Sequence, residues 1–408
     1  MAIRFVHAAD LHLDTPFEGL TRISPSLREE LVDASLLALD RLADEAIRLE
    51  VDFVLFAGDI YDGAERGVRA QLRFLAATRR LSAAGIPVFV AHGNHDPIDE
   101  GWSAIRQWPA SVHIFPAEEV ASYELVARDG SRVVVAGISY GQRDVRESLH
   151  ARFPPPVAGA FNVAVLHTNV GSVAEHALYS PARLEDLAAT GHDYWALGHV
   201  HRRAVLRPAN PAIVYPGNLQ GRGFKRSELG PKGAVVVEAG PGSVNVRFLE
   251  LAPVRFEEIE VDATPCEDLG QVVAALLDAA SALVTAGRVV VRGRIVGATP
   301  AYEALRRFDA AEQIARALDD AAVALPEVAW ADLRIEAHPP IDLGALAGRG
   351  DLLGQLADEA ARLTPAEWVA LIRAEEGLRG LADLDPSEFA AVVRRSAELA
   401  VVLLQEEA

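Results

Sequence analysis

Cysteine is almost absent from this sequence, since Cys266 is the only one among 408 residues. A single cysteine excludes an intramolecular disulfide framework and is typical of a reducing compartment. Long apolar runs are missing as well, so no segment has the length that crossing a membrane requires, and nothing at the start of the chain resembles a secretion signal. These absences predict a soluble cytoplasmic protein that does not interact with a membrane.

Positive charge is scarce. The chain has 39 lysine and arginine residues against 58 aspartate and glutamate residues, a formal net charge of −19, and Lys225 and Lys232 are its only lysines. This balance argues against binding of nucleic acid through a broad basic surface. It leaves room for a nucleic-acid enzyme in which bound metal ions and a local basic patch attract the substrate.

The length predicts two or three domains. Residues 1–252 alternate apolar runs with helical patterns, including those at 26–50 and 67–84, which predicts a layered α/β domain. Residues 253–340 contain three half-exposed strand patterns and a helical one, as in a small α+β domain. Residues 341–408 are helical and acidic, so the sequence predicts a helical C-terminal region.

The last helical pattern of the chain has two interpretations. A helix is predicted to begin at residues 385–388, where proline occupies its first turn. The pattern over 385–405 is amphipathic, which fits a helix that docks on a partner and equally a helix that packs on its own domain.

Five of the apolar runs in residues 1–252 end in carboxylate, amide or imidazole side chains. Sites in open α/β sheets form at the carboxyl ends of strands, so these five ends are expected to meet in one crevice. Five of the 12 histidines lie in these positions. The five motifs are Asp10-Leu11-His12, Gly58-Asp59, Gly93-Asn94-His95-Asp96, His167 and Gly198-His199-Val200-His201.

The spacing and the donor atoms of these motifs indicate metal binding. In an extended chain residues i and i+2 point to the same side, so Asp10 and His12 should face the crevice together. Imidazole, carboxylate and amide oxygen suit Mn²⁺, Fe²⁺ or Zn²⁺. Seven candidates exceed the need of one ion, whereas two ions about 3.5–4 Å apart that share a carboxylate would use them all. The candidates are Asp10, His12, Asp59, Asn94, His167, His199 and His201.

In this order the motifs resemble the five-part signature of the calcineurin-like metallophosphoesterase superfamily. The resemblance implies a layered β-sandwich flanked by helices and a hydrolysis reaction that depends on two metal ions. It also implies that His95 contacts the phosphate or protonates the leaving oxygen, and that Asp96 orients His95. The first metal would have the ligands Asp10, His12, Asp59 and His201. The second would share Asp59 as a bridge and add Asn94, His167 and His199.

Three longer stretches resemble one branch of that superfamily, the bacterial DNA-repair exonucleases of the SbcD/YhaO kind. They are HAADLHLDTPFEGL (7–20), WALGHVHRR (195–203) and VYPGNLQGRGFKRSELGPKG (214–233). In some members a histidine follows the bridging aspartate by three residues; here Asp62 stands there, and it is a further catalytic candidate. The resemblance implies Mn²⁺ as the metal, an α+β capping domain, a C-terminal region that docks on an SMC-like coiled-coil ATPase, and a homodimer.

Basic residues close to the predicted crevice favour DNA as the substrate, because backbone phosphates are positioned by local cations. The favoured hypothesis is therefore a two-metal DNA exonuclease in DNA repair. A small-nucleotide phosphodiesterase or phosphatase with the same dinuclear site is the alternative, and a regulatory subunit without catalysis is a third reading that the complete ligand set disfavours. The candidates for phosphate contacts are Arg202, Arg203, Arg222, Lys225 and Arg226.

Overall fold

The computed structural model describes residues 2–15, 17, 25–63, 67–99, 102–171, 179–240, 242–283, 287–321, 325–362, 396, 398, 400 and 401. The strands in these residues are β1 (Ile3–Ala8), β2 (Phe53–Ala57), β3 (Val88–Ala91), β4 (Val112–Ile114), β5 (Ala121–Val126), β6 (Arg132–Gly137), β7 (Phe161–His167), β8 (Tyr194–Gly198), β9 (Ala204–Arg207), β10 (Ala212–Tyr215), β11 (Gly233–Gly240), β12 (Ser243–Glu250), β13 (Val254–Asp262), β14 (Arg288–Val296) and β15 (Val328–Ile335). The helices are α1 (Pro25–Arg48), α2 (Val68–Ala83), α3 (Leu184–Ala189), α4 (Leu269–Ser281), α5 (Tyr302–Leu305), α6 (Ala310–Ala321), α7 (Leu343–Leu346) and α8 (Leu352–Arg362).

Two six-stranded sheets form a sandwich, with the strand orders β12-β11-β1-β2-β3-β4 and β5-β6-β7-β8-β10-β9. Their facing sides share one core, in which the Phe5 ring stacks on Phe53 at 4.6 Å and meets Tyr194 edge-on at 5.1 Å. The predicted layered α/β fold is confirmed.

Helices α1 and α2 cover the outer face of the first sheet. Leu39 and Leu42 of α1 and Phe74 of α2 pack with Val6 and Val54 in a second buried cluster. The central strands are therefore buried on both faces, which explains why their sequences are continuous apolar runs and not alternating ones. The helices predicted at 26–50 and 67–84 correspond to α1 and α2.

The direction of the strands positions the polar motifs. Strands β1, β2 and β3 are parallel neighbours in the first sheet, and β6, β7 and β8 are parallel neighbours in the second. Parallel strands end at the same edge of a sheet, so each sheet delivers its motifs to one side. The two edges meet where the ring nitrogen Nδ1 of His167, at the end of β7, lies 3.0 Å from the carbonyl oxygen of Ala57, at the end of β2.

The chain divides into two compact units. One comprises Met1–Glu258, Val284–Val291 and Pro326–Asp332; the other comprises Ile259–Leu283, Arg292–Leu325 and Leu333–Ala408. Strands β13, β14 and β15 form a three-stranded sheet in which β14 is central, and α4 follows β13, as the strand and helix patterns of 253–340 predict. The boundaries drawn at 252 and 340 stay predictions.

Most of the described residues of the C-terminal region are helical. Helices α7 and α8 lie in the predicted helical segment, and residues 396, 398, 400 and 401 are helical as well. The predicted helix start at 385–388 lies outside the described residues. In the described part of the chain, no helix combines the length and apolar character that would let it span a membrane.

Candidate metal centre

The loop after β1 turns Asp10 and His12 toward the second strand. The Asp10 N–H donates to the Gly58 carbonyl and the His12 N–H donates to the Asp59 carbonyl, both at 3.0 Å. Asp10, His12 and Asp59 all have left-handed backbone, with φ of 52°, 43° and 51°. The extended conformation expected at Asp10 and His12 is therefore wrong. The two side chains meet because the chain coils against Gly58 and Asp59, not because a strand continues.

One cluster of potential ligands joins the first motif to the last. The acidic and imidazole groups of Asp10, His12 and His201 have ligand atoms within 4.8 Å of one another. The two Nε2 atoms of His12 and His201 lie only 3.1 Å apart. Asp10 also accepts the His199 N–H at 3.0 Å, which ties the β8 motif to the β1 motif.

A second cluster lies beside it. His167 Nε2 is 3.3 Å from Asp59 Oδ2 and 3.0 Å from Asn94 Oδ1. The same Asp59 Oδ2 is 3.8 Å from His12 Nε2, so this oxygen lies between the two clusters. The His199 ring is close too, with its centroid 5.3 Å from that of His167. The structure thus brings all seven predicted ligands together, and their division between two metal ions stays a prediction.

The donor set fits divalent cations. His167 Nδ1 faces the Ala57 carbonyl, which only accepts, so this nitrogen carries the proton and Nε2 presents a lone pair to the oxygens of Asp59 and Asn94. His201 Nδ1 likewise faces the Glu228 carboxylate at 2.6 Å, which leaves its Nε2 as a lone pair directed at His12. Lone pairs of nitrogen and oxygen that point at one another repel. This arrangement is therefore stable only when a cation or a proton lies between them.

The shifted pKa values also indicate that the two clusters favour bound positive charge. Burial lowers the pKa of His167, but Asp59, Asp10 and the Ala57 carbonyl outweigh it and raise that pKa to about 9. Burial raises the pKa of Asp59, yet His167 and His12 hold it well below its usual value. Burial lowers the pKa of His12 to about 4, so its ring is a neutral ligand at pH 7.

His95 lies beside the clusters and is held by Asp62. Its Nδ1 is 2.6 Å from Asp62 Oδ1, and its backbone N–H donates to Asp59 Oδ1 at 2.9 Å. Burial lowers the pKa of His95, but Asp62 and Asp59 outweigh it and the net shift is upward. A carboxylate on Nδ1 fixes the ring so that Nε2 is the nitrogen left for substrate.

Asp96 has a different task from the predicted one. It accepts the backbone N–H groups of Gly93 and Ile60 at 2.8 and 2.9 Å, and its Oδ2 is 2.9 Å from His92 Nδ1. The carboxylate that orients His95 is Asp62, which corrects the assignment of that role to Asp96. Asp96 instead ties the loop after β2 to the loop after β3, because it reaches backbone on both.

A cleft of about 610 Å³ opens over the clusters. Asp59, His95, His199 and His201 line one part of it. The remaining lining residues belong to a single loop that is rich in basic residues: Arg222, Lys225, Arg226, Ser227 and Glu228.

A family model described as calcineurin-like phosphoesterase matches residues 3–203. The chain carries a calcineurin-like metallophosphoesterase domain. A second model, described as the middle domain of the metallophosphoesterase YhaO, matches residues 256–338.

The chain is also similar in sequence to curated proteins. The uncharacterized metallophosphoesterase YhaO of Bacillus subtilis is 36% identical over 268 residues, which are 65% of this chain and 65% of that protein. The DNA double-strand break repair protein Mre11 of Haloferax volcanii is 29% identical over 281 residues, 66% of this chain and 57% of that protein. Mre11 of Aeropyrum pernix is 29% identical over 226 residues, 53% of each chain. The chain thus spans between half and two thirds of these relatives.

Three of the five predicted phosphate contacts line the cleft over the ligand clusters. Arg222, Lys225 and Arg226 do so, whereas Arg202 and Arg203 are not among the lining residues. The Arg203 guanidinium lies over the Phe248 ring, 4.4 Å from its centroid, on β12 of the first sheet. A cation–π contact leaves the guanidinium charged, so a phosphate contact of Arg203 stays a prediction.

Two charged residues beside His201 were not predicted from the sequence. Glu228 contacts His201, and Lys232 Nζ donates to the His201 carbonyl at 3.0 Å. Both lie in the stretch 214–233 that carries the family resemblance. Glu228 stands out in the sequence as a glutamate among basic residues. Its spacing did not indicate a contact with His201, which lies 27 residues earlier.

Proposed function

We propose that the chain is a two-metal phosphodiesterase that hydrolyses DNA phosphodiester bonds, as a Mn²⁺-dependent exonuclease in DNA repair. One observation carries the proposal: the cleft above the convergent ligands is lined on one side by Arg222, Lys225 and Arg226. In a chain of net charge −19, three cations in one loop beside the metal ligands provide local attraction for a phosphate backbone. The Mre11 relatives are named as DNA double-strand break repair proteins, which supports this substrate.

Asp59 and the six other candidate ligands around it would hold the two ions. Bound there, the ions would neutralise charge on the phosphate oxygens and lower the pKa of the water that attacks phosphorus. Asp59 Oδ1 accepts the His95 N–H, so Oδ2 is the oxygen that would bind the ions. His167 and His201 each have Nδ1 committed to an oxygen, so both rings present Nε2 in a fixed direction.

His95 is the residue that handles the proton of the leaving group. Asp62 holds its Nδ1, and the upward pKa shift keeps a larger fraction of the ring protonated near pH 7. Nε2 can then donate a hydrogen bond to a phosphate oxygen or a proton to the departing oxygen. This is a role for a general acid, and no covalent intermediate is needed.

Degradation of linear duplex DNA by the purified chain with Mn²⁺ tests the proposal. We expect the triple replacement of Arg222, Lys225 and Arg226 by Ala to weaken DNA binding and to flatten its dependence on salt, because each lost phosphate contact reduces the salt slope by about one. Arg146→Ala is the control, since this arginine is exposed and pairs with its near neighbour Asp144. Failure to cleave DNA, alone or with a partner, contradicts the proposal.

A second candidate is a phosphodiesterase or phosphatase of small nucleotides. The volume of the cleft favours it, because about 610 Å³ is in the range of small-molecule sites. Turnover of cyclic or bis-phosphodiester nucleotides without turnover of DNA is the result that would select it.

We also propose that residues 341–408 dock on an SMC-like coiled-coil ATPase, and that the protein is a homodimer. Both rest on the family resemblance. Capture of such an ATPase by the full chain, and its loss when 341–408 are removed, tests the first proposal; sedimentation of the full chain tests the second.

A further inference from the structure

Glu228 is a buried carboxylate that none of the ligand motifs contains. Only 5% of the residue is exposed. Its two oxygens point in different directions, Oε1 toward the metal ligand His201 and Oε2 toward the loop that follows β10. A buried charge is costly unless every oxygen is paired, so these contacts define what Glu228 does.

The first oxygen sets the state of His201. His201 Nδ1 lies 2.6 Å from Glu228 Oε1, so the proton stays on Nδ1 and Nε2 remains available as a ligand. A carboxylate in this position also fixes the rotation of the ring. Without it, His201 could place its proton on Nε2 and lose its ability to bind a cation.

The second oxygen holds the basic loop. Glu228 Oε2 accepts the Arg222 backbone N–H at 3.0 Å and the Asn218 side-chain amide at 2.7 Å. The backbone of Glu228 closes the loop as well, because its N–H donates to the Lys225 carbonyl at 2.8 Å. A Cβ at Gly221 would lie 2.5 Å from the Glu228 carbonyl oxygen, so only glycine permits this close approach.

Positive charge keeps Glu228 ionised in spite of its burial. Burial raises its pKa, but His201, Arg222 and Lys232 outweigh this and the net shift is downward. Lys232 adds a parallel connection, since its Nζ donates both to the His201 carbonyl and to the Ser227 carbonyl of the loop.

We propose that Glu228 is a positioning residue that couples the metal centre to the basic loop, by holding His201 with one oxygen and Arg222 with the other. The order of the loop and the affinity for metal then depend on the same carboxylate. The inference rests on the proposed function for the role of the loop as a phosphate-binding element. Its metal-binding half is independent of which phosphodiester is cleaved.

Two variants of the full chain separate the two halves. Glu228→Ala removes both contacts, and we expect Mn²⁺ affinity, measured by calorimetry, to fall by about 10- to 100-fold. Trypsin should then cut the loop at Arg222, Lys225 and Arg226 faster than in the unaltered protein. In Glu228→Gln one oxygen of the pair becomes a donor, so either the His201 contact or the two loop contacts are lost. We therefore expect this variant to lose metal affinity or loop protection.

Glu238→Ala is the matched control. Glu238 lies on β11 and pairs with Arg4, near the start of β1 and away from its carboxyl end. It should keep the unaltered Mn²⁺ affinity and loop protection. A folded Glu228→Ala protein with unaltered Mn²⁺ affinity overturns the inference, as does a Glu228→Gln protein that keeps both properties. Failure to cleave DNA leaves the metal measurement standing, so the two failures are distinguishable.

Discussion

Replacement of Asp62 by Asn is the sharpest perturbation of the proposed chemistry. Asp62 lies 2.6 Å from His95 Nδ1, and its side chain is 28% exposed, so water screens the contact only in part. An Asn in this place still accepts the Nδ1 proton through its oxygen. The variant therefore removes the charge of the partner while the tautomer of His95 is kept.

The magnitude follows from the kind of hydrogen bond that changes. A hydrogen bond to a charged group contributes about 1.5–3 kcal/mol and a neutral one about 0.5–1.5 kcal/mol. The difference of about 1–1.5 kcal/mol corresponds to roughly a tenfold loss in kcat on DNA. Removal of the acid itself in His95→Gln should cost more, about 10²- to 10⁴-fold.

The two changes should not add. If Asp62 acts through His95, then Asp62→Asn has no further effect once His95→Gln is present, as a double-mutant cycle on kcat will show. The cycle is measured on linear DNA at saturating Mn²⁺. Bis(p-nitrophenyl) phosphate is the control substrate, because its leaving group departs without a proton, and both variants should turn it over at nearly the unaltered rate.

Two results would refute this reasoning. Additive losses on DNA would mean that Asp62 acts independently of His95. An equal loss on bis(p-nitrophenyl) phosphate would mean that Asp62 supports the metal ligands instead, through His12 Nδ1, which lies 3.6 Å from its Oδ1.

Three further outcomes are expected. Metal analysis of Gly58→Ala should find one bound ion in place of two. Gly58 has a φ of +95°, and a Cβ there would collide with the His167 ring. A variant that retains two ions would contradict this. Mn²⁺ at a hundredfold excess over its Kd should raise the free energy of unfolding by about 2.7 kcal/mol per site, and Asp59→Asn should abolish the gain; equal Tm with Mn²⁺ and with chelator would exclude a built site. Burial lowers the pKa of His7 to about 3, so the unfolded chain binds the extra proton below pH 6.5 and stability falls as the pH drops from 6.5 toward 3. At pH 5 this lowers the free energy of unfolding by about 2 kcal/mol relative to pH 7. Urea unfolding of His7→Gln should show a pH dependence that is smaller by this amount. An unchanged difference between pH 5 and pH 7 would show that His7 does not cause it.

Much of the fold was predictable from local pattern. The buried parallel strands β1, β2, β3, β6, β7 and β8 read as apolar runs, and α1 and α2 as amphipathic segments of the right length. Strands β4, β5, β9, β10, β11 and β12 were not identified. The side chains of β5, β9 and β12 are largely half-buried or exposed, so their sequences carry a weak periodic signal, and β4 and β10 are only three and four residues long. Strand β11 is eight residues long and mostly buried, so neither reason applies to it.

The sequence by itself predicted the candidate ligands, because imidazole and carboxylate at buried strand ends are costly unless they are paired or bind an ion. It could not determine the second contacts of those ligands. The partner of His95 is Asp62 and not the predicted Asp96, and the partner of His201 is Glu228. Neither pairing could be predicted, because each joins residues that are 27 or more positions apart in the sequence. Asp62 and His95 are brought together by the parallel pairing of β2 with β3, and Glu228 and His201 by the approach of the loop after β10 to the end of β8. The left-handed turns at Asp10 and His12 likewise depend on Gly58 and Asp59, which accept their N–H groups.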